Sequence, residues 1–337
     1  MSLLEEFKTA GIIKSVAVSE SEFFTPKDLI ETDVPIINVA LSGALDGGLS
    51  PGILSIGGPS RHFKSNLGLV VVSAFMKKHP KGICLFFDSE FGTTPEYLQS
   101  HGIDTSRMLH LPITNVELLK NDLVAKLEKI KDGDEIIIFI DSVGNLASSK
   151  EINDSLENKN TADMTRSKVL KSFYRMITPS LNLKKIPCVI VQHVYETMEM
   201  FSKQVMSGGT GGMLSSNIVW FIGRSQEKQG TDLVGYNFTI NIEKSRFVRE
   251  KSKLPFQVTF EHGINKWGGL LELAIESGHV IKPSNGRYQK ANSKDDKKYF
   301  EKDTNNKDFW EEILADKTFY DFVKNKYQLS SAPFKGE

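Results

Sequence analysis

Residues 58–66 read Gly58-Pro59-Ser60-Arg61-His62-Phe63-Lys64-Ser65-Asn66, a lysine and a hydroxyl placed side by side behind a turn-forming segment. Those residue types suit phosphate chemistry. Backbone N–H groups at a helix N-terminus converge on an anion, Lys64 adds a full positive charge toward the β- and γ-phosphates, and the Ser65 hydroxyl can ligate Mg2+. Phe63 stands where a glycine usually precedes the lysine, and a bulky residue is a steric outlier wherever the backbone needs positive φ. Taken alone, the segment is therefore a defective phosphate loop that chance could produce.

The elements that must position such a loop are present around it. Gly52 to Gly57 reads as a buried strand and the stretch from Ser65 to Val72 can open a helix, the strand, loop and helix order that a P-loop needs. Ile136-Ile137-Ile138-Phe139-Ile140-Asp141-Ser142 is an unbroken apolar run ending in a carboxylate, as a central parallel strand delivers an acid to the C-terminal edge of a sheet. Asp141 is thereby placed for the Mg2+ shell, against the plainer alternative of a capping Asp. Ile83 to Asp88 is a second buried strand with Glu90 just beyond it, where a carboxylate can orient and deprotonate an attacking water. Pro187 to His193 is a third. His193 at its tip can hydrogen-bond a γ-phosphate, although a lone strand-end histidine is more often structural.

The order of these pieces resembles the RecA recombinases, most closely their phage branch, from about Ile36 to about Gly269. That branch carries Gly-Pro-Ser-x-x-Phe-Lys-Ser-Asn in place of the orthodox loop, so Phe63 supports the resemblance. Asp88-Ser89-Glu90-Phe91-Gly92, Asp141-Ser142-x-Gly144-Asn145-Leu146-Ala147-Ser148 and His193-x-Tyr195-Glu196-Thr197 are also similar to it. The resemblance implies an α/β, RecA-like P-loop ATPase core using ATP and Mg2+, with Glu90 as catalytic base, Asp141 as the Walker B acid and Tyr97 stacking on adenine. It implies that His193 senses the γ-phosphate, and that Lys244 and Arg246 reach the ATP of a neighbouring subunit in a helical filament. Single-stranded DNA, double-stranded DNA and further copies of the chain are the implied partners, together with a phage loader protein and a single-strand-binding protein. A DNA-dependent ATPase acting in strand exchange in the host cytoplasm is the implied function. A ring helicase on the same core and a small-molecule phosphotransferase are the rivals.

The composition limits rather than identifies. The chain has 337 residues, with 42 Lys and Arg against 42 Asp and Glu, so any nucleic-acid site must be local and not a property of overall charge. Cys84 and Cys188 both fall inside expected core strands, which favours reduced thiols packed as small apolar groups. The longest mainly apolar run, Leu67 to Met76, is too short to span a bilayer, and no basic start followed by an apolar block opens the chain.

Three parts are expected along the chain. Residues 1–30 stand apart from the core, with an amphipathic helix over Leu3 to Ile13; such an arm can fold back on its own core, whereas the resemblance implies an N-terminal oligomerisation arm that docks on the adjacent subunit and buries Phe23 or Phe24 there. Residues 31–268 form the core, a mainly parallel sheet with helices on both faces, which continues through Asn217 to Gly223, Tyr236 to Ile242 and Leu254 to Phe260 as antiparallel strands. Residues 269–337 form a small C-terminal domain with a helix over Leu270 to Ser277, a solvated, mobile insertion near 290–307 and helical spacing from Phe309 to Tyr327.

DNA contacts are expected in two places. Arg166, Lys168, Lys171 and Arg175 belong to one predicted helix, where the last three recur at helical spacing opposite Leu170, Phe173 and Ile177. A basic stripe of that kind suits a phosphate backbone, though it is also what an ordinary solvated helix face looks like. The second place is Val194 to Met213, whose Glu196 and Glu199 outweigh Lys203, so phosphate attraction is not its main contribution. Met198, Met200 and Phe201 are candidate wedges between bases, and Gly208, Gly209, Gly211 and Gly212 would let the loop order on DNA.

Overall fold

Among the described residues ten strands form one sheet, nine of them along a single path and the tenth paired beside it, and two more form a separate hairpin. The computed structural model describes residues 2–13, 15–21, 28–157, 164–196, 204–291 and 297–329. Phe23, Phe24, Met198, Met200, Phe201, Lys203 and residues 292–296 of the expected insertion lie outside the described residues.

The chain opens with α1 (Leu3–Thr9), shorter than its apolar spacing suggests, capped at Ser2 and with none of its residues buried. The core begins with α2 (Pro35–Ser42), then β1 (Gly52–Gly58), α3 (Lys64–Lys78), β2 (Ile83–Asp88), α4 (Pro95–Ser100), β3 (Met108–Pro112), α5 (Val116–Lys129) and β4 (Ile136–Asp141). Next come α6 (Ser149–Leu156), α7 (Thr165–Leu183), β5 (Pro187–Glu196), β6 (Gln204–Met206), α8 (Gly211–Ser215), β7 (Ile218–Gln229), β8 (Asp232–Ser245), β9 (Lys253–Thr259) and β10 (Gly263–Ile264). The last part comprises α9 (Leu270–Glu276), a hairpin of β11 (Val280–Ser284) and β12 (Arg287–Lys290), α10 (Lys307–Ala315) and α11 (Lys317–Tyr327). Across the large sheet the order is β10-β9-β8-β7-β1-β5-β4-β2-β3, with β6 paired to β5 outside that path.

The unbroken apolar runs are the central strands, and their alternate residues feed two cores. Ile137 and Phe139 of β4 point into the cluster that contains Leu67, Val71 and Phe75 of α3. Ile138 and Ile140 point into the cluster that contains Leu119 and Leu123 of α5 and Phe173 and Ile177 of α7. Both faces of the parallel part are thus covered, which is why its strands read as continuous hydrophobic runs and not as alternating ones. Cys84 and Cys188 are buried and unpaired in opposite clusters.

The antiparallel extension begins one strand later than the sequence suggests. β7 pairs parallel with β1, and the antiparallel ladder starts between β7 and β8. Beyond it, Leu270, Trp310, Phe319 and Tyr327 of the C-terminal part join the same buried cluster as α2 and α3. The stretch expected to be one helical segment from Phe309 is divided at Asp316, whose side chain accepts from the Thr318 N–H and caps α11. Of the expected insertion, Lys290 closes β12, Tyr299 bridges to Tyr288, and α10 begins at Lys307. Among the described residues no helix is long and apolar enough to cross a membrane.

Candidate nucleotide site and nucleic-acid interface

Because β1, β5, β4 and β2 run parallel, their C-terminal ends open on one edge. Gly58 lies beside His193, and Asp141 beside Asp88. This places the phosphate loop, the strand-end acids and the histidine along one sheet edge, the edge at which open α/β sheets bind their ligands.

The loop itself resolves the conflict at Phe63. Phe63 adopts φ 61° and ψ 17°, a left-handed conformation, immediately before α3. Such a backbone costs an L-residue about 1–2 kcal/mol. Its ring is held 5.2 Å from Phe238 and 6.2 Å from Phe256, and aromatic contacts of this kind contribute about 0.5–1.5 kcal/mol each beyond area burial. The side chain that strains the loop therefore also fastens it to β8 and β9. Arg61 is left-handed too, and its carbonyl accepts from Arg224 Nη1 at 2.9 Å. His62 Nδ1 lies 2.9 Å from the Ser60 carbonyl, and Lys64 Nζ donates to Pro59 O at 2.7 Å.

Electrostatics mark the groups behind the loop. Lys64 and Asp141 are both buried. Burial lowers the Lys64 pKa, with Asp141 and Glu90 opposing. Burial also pushes Asp141 up to about 6, with a hydrogen bond from Ser65 opposing and the nearby Glu90 and Asp88 charges adding to the rise. Both ions are thus under-compensated by their surroundings, and a divalent cation bound to a polyphosphate would supply what each lacks.

Glu90 and His193 meet. His193 Nε2 lies 3.4 Å from Glu90 Oε1, and the same oxygen accepts from Ser142 Oγ and Asn145 Nδ2, each at 2.7 Å. Asp88 holds the turn that carries Glu90: its Oδ1 accepts from the N–H groups of Glu90 and Phe91 at 2.9 Å, and His110 Nε2 lies 3.1 Å from Oδ2. Ser142, Asn145 and Asp88 escaped assignment from sequence, although Asp88 ends its strand as Asp141 does.

Tyr97, near the start of α4, is 37% exposed, and burial of the rest raises its pKa, with a hydrogen bond to Asn66 opposing. Its ring lies 4.6 Å from His101, which in turn meets Asn66. Lys244 donates to the carbonyls of Met213 and Leu214 at the end of α8, at 2.9 and 2.8 Å, and Arg246 is exposed.

The expected basic helix exists as α7. Leu170, Phe173 and Ile177 are buried, and Lys168, Lys171 and Arg175 are exposed without a carboxylate partner among the described residues. Arg166 points elsewhere, its guanidinium bonded to Val143, Gly144 and Leu146 carbonyls. Gly208 and Gly209 have positive φ. Gly211 and Gly212 serve close packing, since a β-carbon would lie 3.2 Å from the Lys171 backbone at Gly211 and 2.9 Å from Gln192 at Gly212.

Comparison with known proteins agrees with this geometry. Residues 22–265 match the RecA N-terminal domain, and residues 267–323 match the C-terminal domain of the bacteriophage T4 recombination and repair protein. The recombination and repair protein of Enterobacteria phage T4 is 46% identical over 322 residues, 93% of this chain and 82% of that protein. Protein RecA of Streptomyces ambofaciens is 27% identical over 261 residues, 76% of this chain and 68% of its own, and that of Mycobacteroides abscessus 26% over 255 residues, 74% and 71%. A RecA-type sheet whose parallel strand ends gather a lysine, two acids and a histidine, with this match along most of its length, means that the chain belongs to the RecA family of recombinases.

Proposed function

We propose that this chain is an ATP-dependent strand-exchange recombinase that forms helical filaments on single-stranded DNA and pairs it with homologous duplex. One observation carries the reading. Glu90 and His193 share a contact at the phosphate edge, and the His193 carbonyl accepts from the Ser207 N–H at 2.9 Å, at the close of the hairpin expected to touch DNA.

The roles follow from position. Lys64 and the loop N–H groups would grip the β- and γ-phosphates, and Ser65 and Asp141 would hold Mg2+, which neutralises charge on the phosphate oxygens. Tyr97 would cover the adenine from α4. Glu90 would take the proton of the attacking water, with Ser142 and Asn145 fixing the direction of its free lone pairs. His193 would read the terminal phosphate and pass its state to the segment leading to Ser207. Lys244 and Arg246 would complete a neighbour's site across the filament, and residues 1–30 would dock on that neighbour. Lys168, Lys171 and Arg175 would track the DNA phosphates while the loop beyond Glu196 spreads the bases.

Exchange between duplexes of equal sequence is close to balanced in free energy, as in heteroduplex formation generally. ATP is therefore assigned to assembly and release, and not to pairing. The test is ATP turnover with and without single-stranded DNA, followed by joint-molecule formation. DNA-stimulated turnover and joint molecules from homologous substrates alone are expected. Turnover indifferent to DNA, or closed rings without continuous filaments in electron micrographs, would reject the reading.

A further inference from the structure

Arg166 stands in the first turn of α7 with its guanidinium turned into the protein. Nε donates to Leu146 O at 2.6 Å, and Nη2 lies 3.1 Å from Val143 O, 2.9 Å from Gly144 O and 3.3 Å from Ser207 Oγ. Helical spacing explains the direction. Arg166 lies on the same side of α7 as Leu170, Phe173 and Ile177, which are buried, and about 200° around the helix from Lys168.

The carbonyls that it gathers belong to the loop that aims Glu90. Ser142 and Asn145 of that loop both donate to the Glu90 carboxylate. The loop also bears on His193: a β-carbon at Gly144 would lie 2.5 Å from His193 Cδ2, so only glycine permits the contact. From the other side, Ser207 donates its N–H to the His193 carbonyl. A planar fork bonded to several carbonyls fixes orientation in a way that a flexible point charge does not. These loop carbonyls lie outside strand and helix ladders; Val143 O also accepts from the Leu146 N–H at 3.4 Å, and the arginine is the group that ties all three together.

We propose that Arg166 is a positioning residue for hydrolysis, coupling polynucleotide engagement at α7 and at the segment around Ser207 to the aim of Glu90; this rests on the recombinase reading above. When the α7 stripe takes up phosphates, or the segment around Ser207 changes place, the guanidinium moves with them and carries the three carbonyls along. Ser142 and Asn145 then redirect the carboxylate. Coupling of this kind needs one element shared by both sites, and Arg166 is bonded to each.

The test compares the parental chain with Arg166→Gln, Arg166→Lys and Ser207→Ala. For each, kcat and KM for ATP are measured with and without saturating single-stranded DNA. DNA affinity is measured by anisotropy of a labelled oligonucleotide in the presence of a non-hydrolysable ATP analogue. Arg166→Gln is expected to cut the ratio of DNA-stimulated to DNA-free kcat at least tenfold, while KM for ATP and DNA affinity stay within threefold. Arg166→Lys should recover part of the ratio, because an ammonium can reach some of the carbonyls. Ser207→Ala, which leaves the carbonyl clamp intact and keeps the test available if Arg166→Gln does not fold, should lower the ratio about threefold. DNA affinity that falls tenfold with stimulation intact at saturation would make Arg166 a DNA contact and overturn the proposal. Equal losses in both states with no recovery in Arg166→Lys would make it merely structural. A parental chain without DNA stimulation would defeat the recombinase reading itself.

Discussion

The phosphate loop and the loop after β4 open on the same sheet edge and are held by different balances of contacts. Each has an arginine on its carbonyls, Arg224 on Arg61 and Arg166 on Val143, Gly144 and Leu146. The first is fastened in addition by an aromatic ring, Phe63 against Phe238 and Phe256, whereas the second, which buries Val143 and Leu146, adds hydrogen bonds from Ser142 and Asn145 to Glu90. Apolar packing is non-directional and indifferent to charge, whereas a polar network is directional and responds to charges placed near it. The contrast matches the proposed division of labour. In that reading, a loop that grips the same triphosphate in every cycle is anchored by burial, and a loop that changes the aim of a carboxylate is held by bonds that can be re-aimed.

The largest expected break is at the carboxylate. Glu90→Gln should lower ATP hydrolysis by about 10²–10⁴-fold, the usual span for a lost general base, while nucleotide binding is kept and filaments become long-lived in micrographs. Hydrolysis at the parental rate would remove Glu90 from the base role. Phe63→Ala strikes the other loop. It should destabilise the fold by about 2–4 kcal/mol, below the roughly 3–5 kcal/mol of fully buried aromatic truncations because the ring is only partly buried, read as a lowered denaturant midpoint together with weaker nucleotide binding. If the midpoint is unchanged, the ring is not the anchor.

The pH dependence separates the loops further. Burial raises the Asp141 pKa to about 6, so the folded chain keeps a proton there that the unfolded chain releases. Its contribution to stability is therefore present at low pH and lost as pH rises through about 6. In the proposed site, binding of Mg2+ with nucleotide would need the carboxylate and run the other way, weakening about fivefold between pH 6 and pH 5. Calorimetric titration across that range checks the sign. Smallest of all, Asn145→Ala should slow hydrolysis severalfold with nucleotide affinity and unfolding midpoint unchanged, the mirror image of Phe63→Ala. A shift in midpoint instead would erase the contrast between the two loops.

Much of this edge was legible in the chain. The apolar runs ending at Asp141 and His193 are strands because both their faces are covered, and α7 shows its basic stripe and apolar face at the expected spacing. Other features were not. β3 is an edge strand with Leu109 half exposed, so it lacks the unbroken apolar signature of its neighbours. The β11–β12 hairpin turns at Asn285-Gly286, with Gly286 at φ 70°, a turn signal short enough to be lost beside a charged stretch. The inward direction of Arg166 was available from helical spacing alone, yet a basic residue near a basic stripe was grouped with it. What spacing could not supply was its partners, since those carbonyls belong to irregular backbone that only the folded chain brings within reach.

The account stands on communication between the terminal phosphate of bound nucleotide and the segments that face DNA. Its most direct test is the affinity of the chain for a labelled single-stranded oligonucleotide, measured with a non-hydrolysable ATP analogue and again with ADP. The account predicts binding at least tenfold tighter with the analogue, and a His193→Ala variant that loses most of that difference. Equal affinity with the two nucleotides would contradict it.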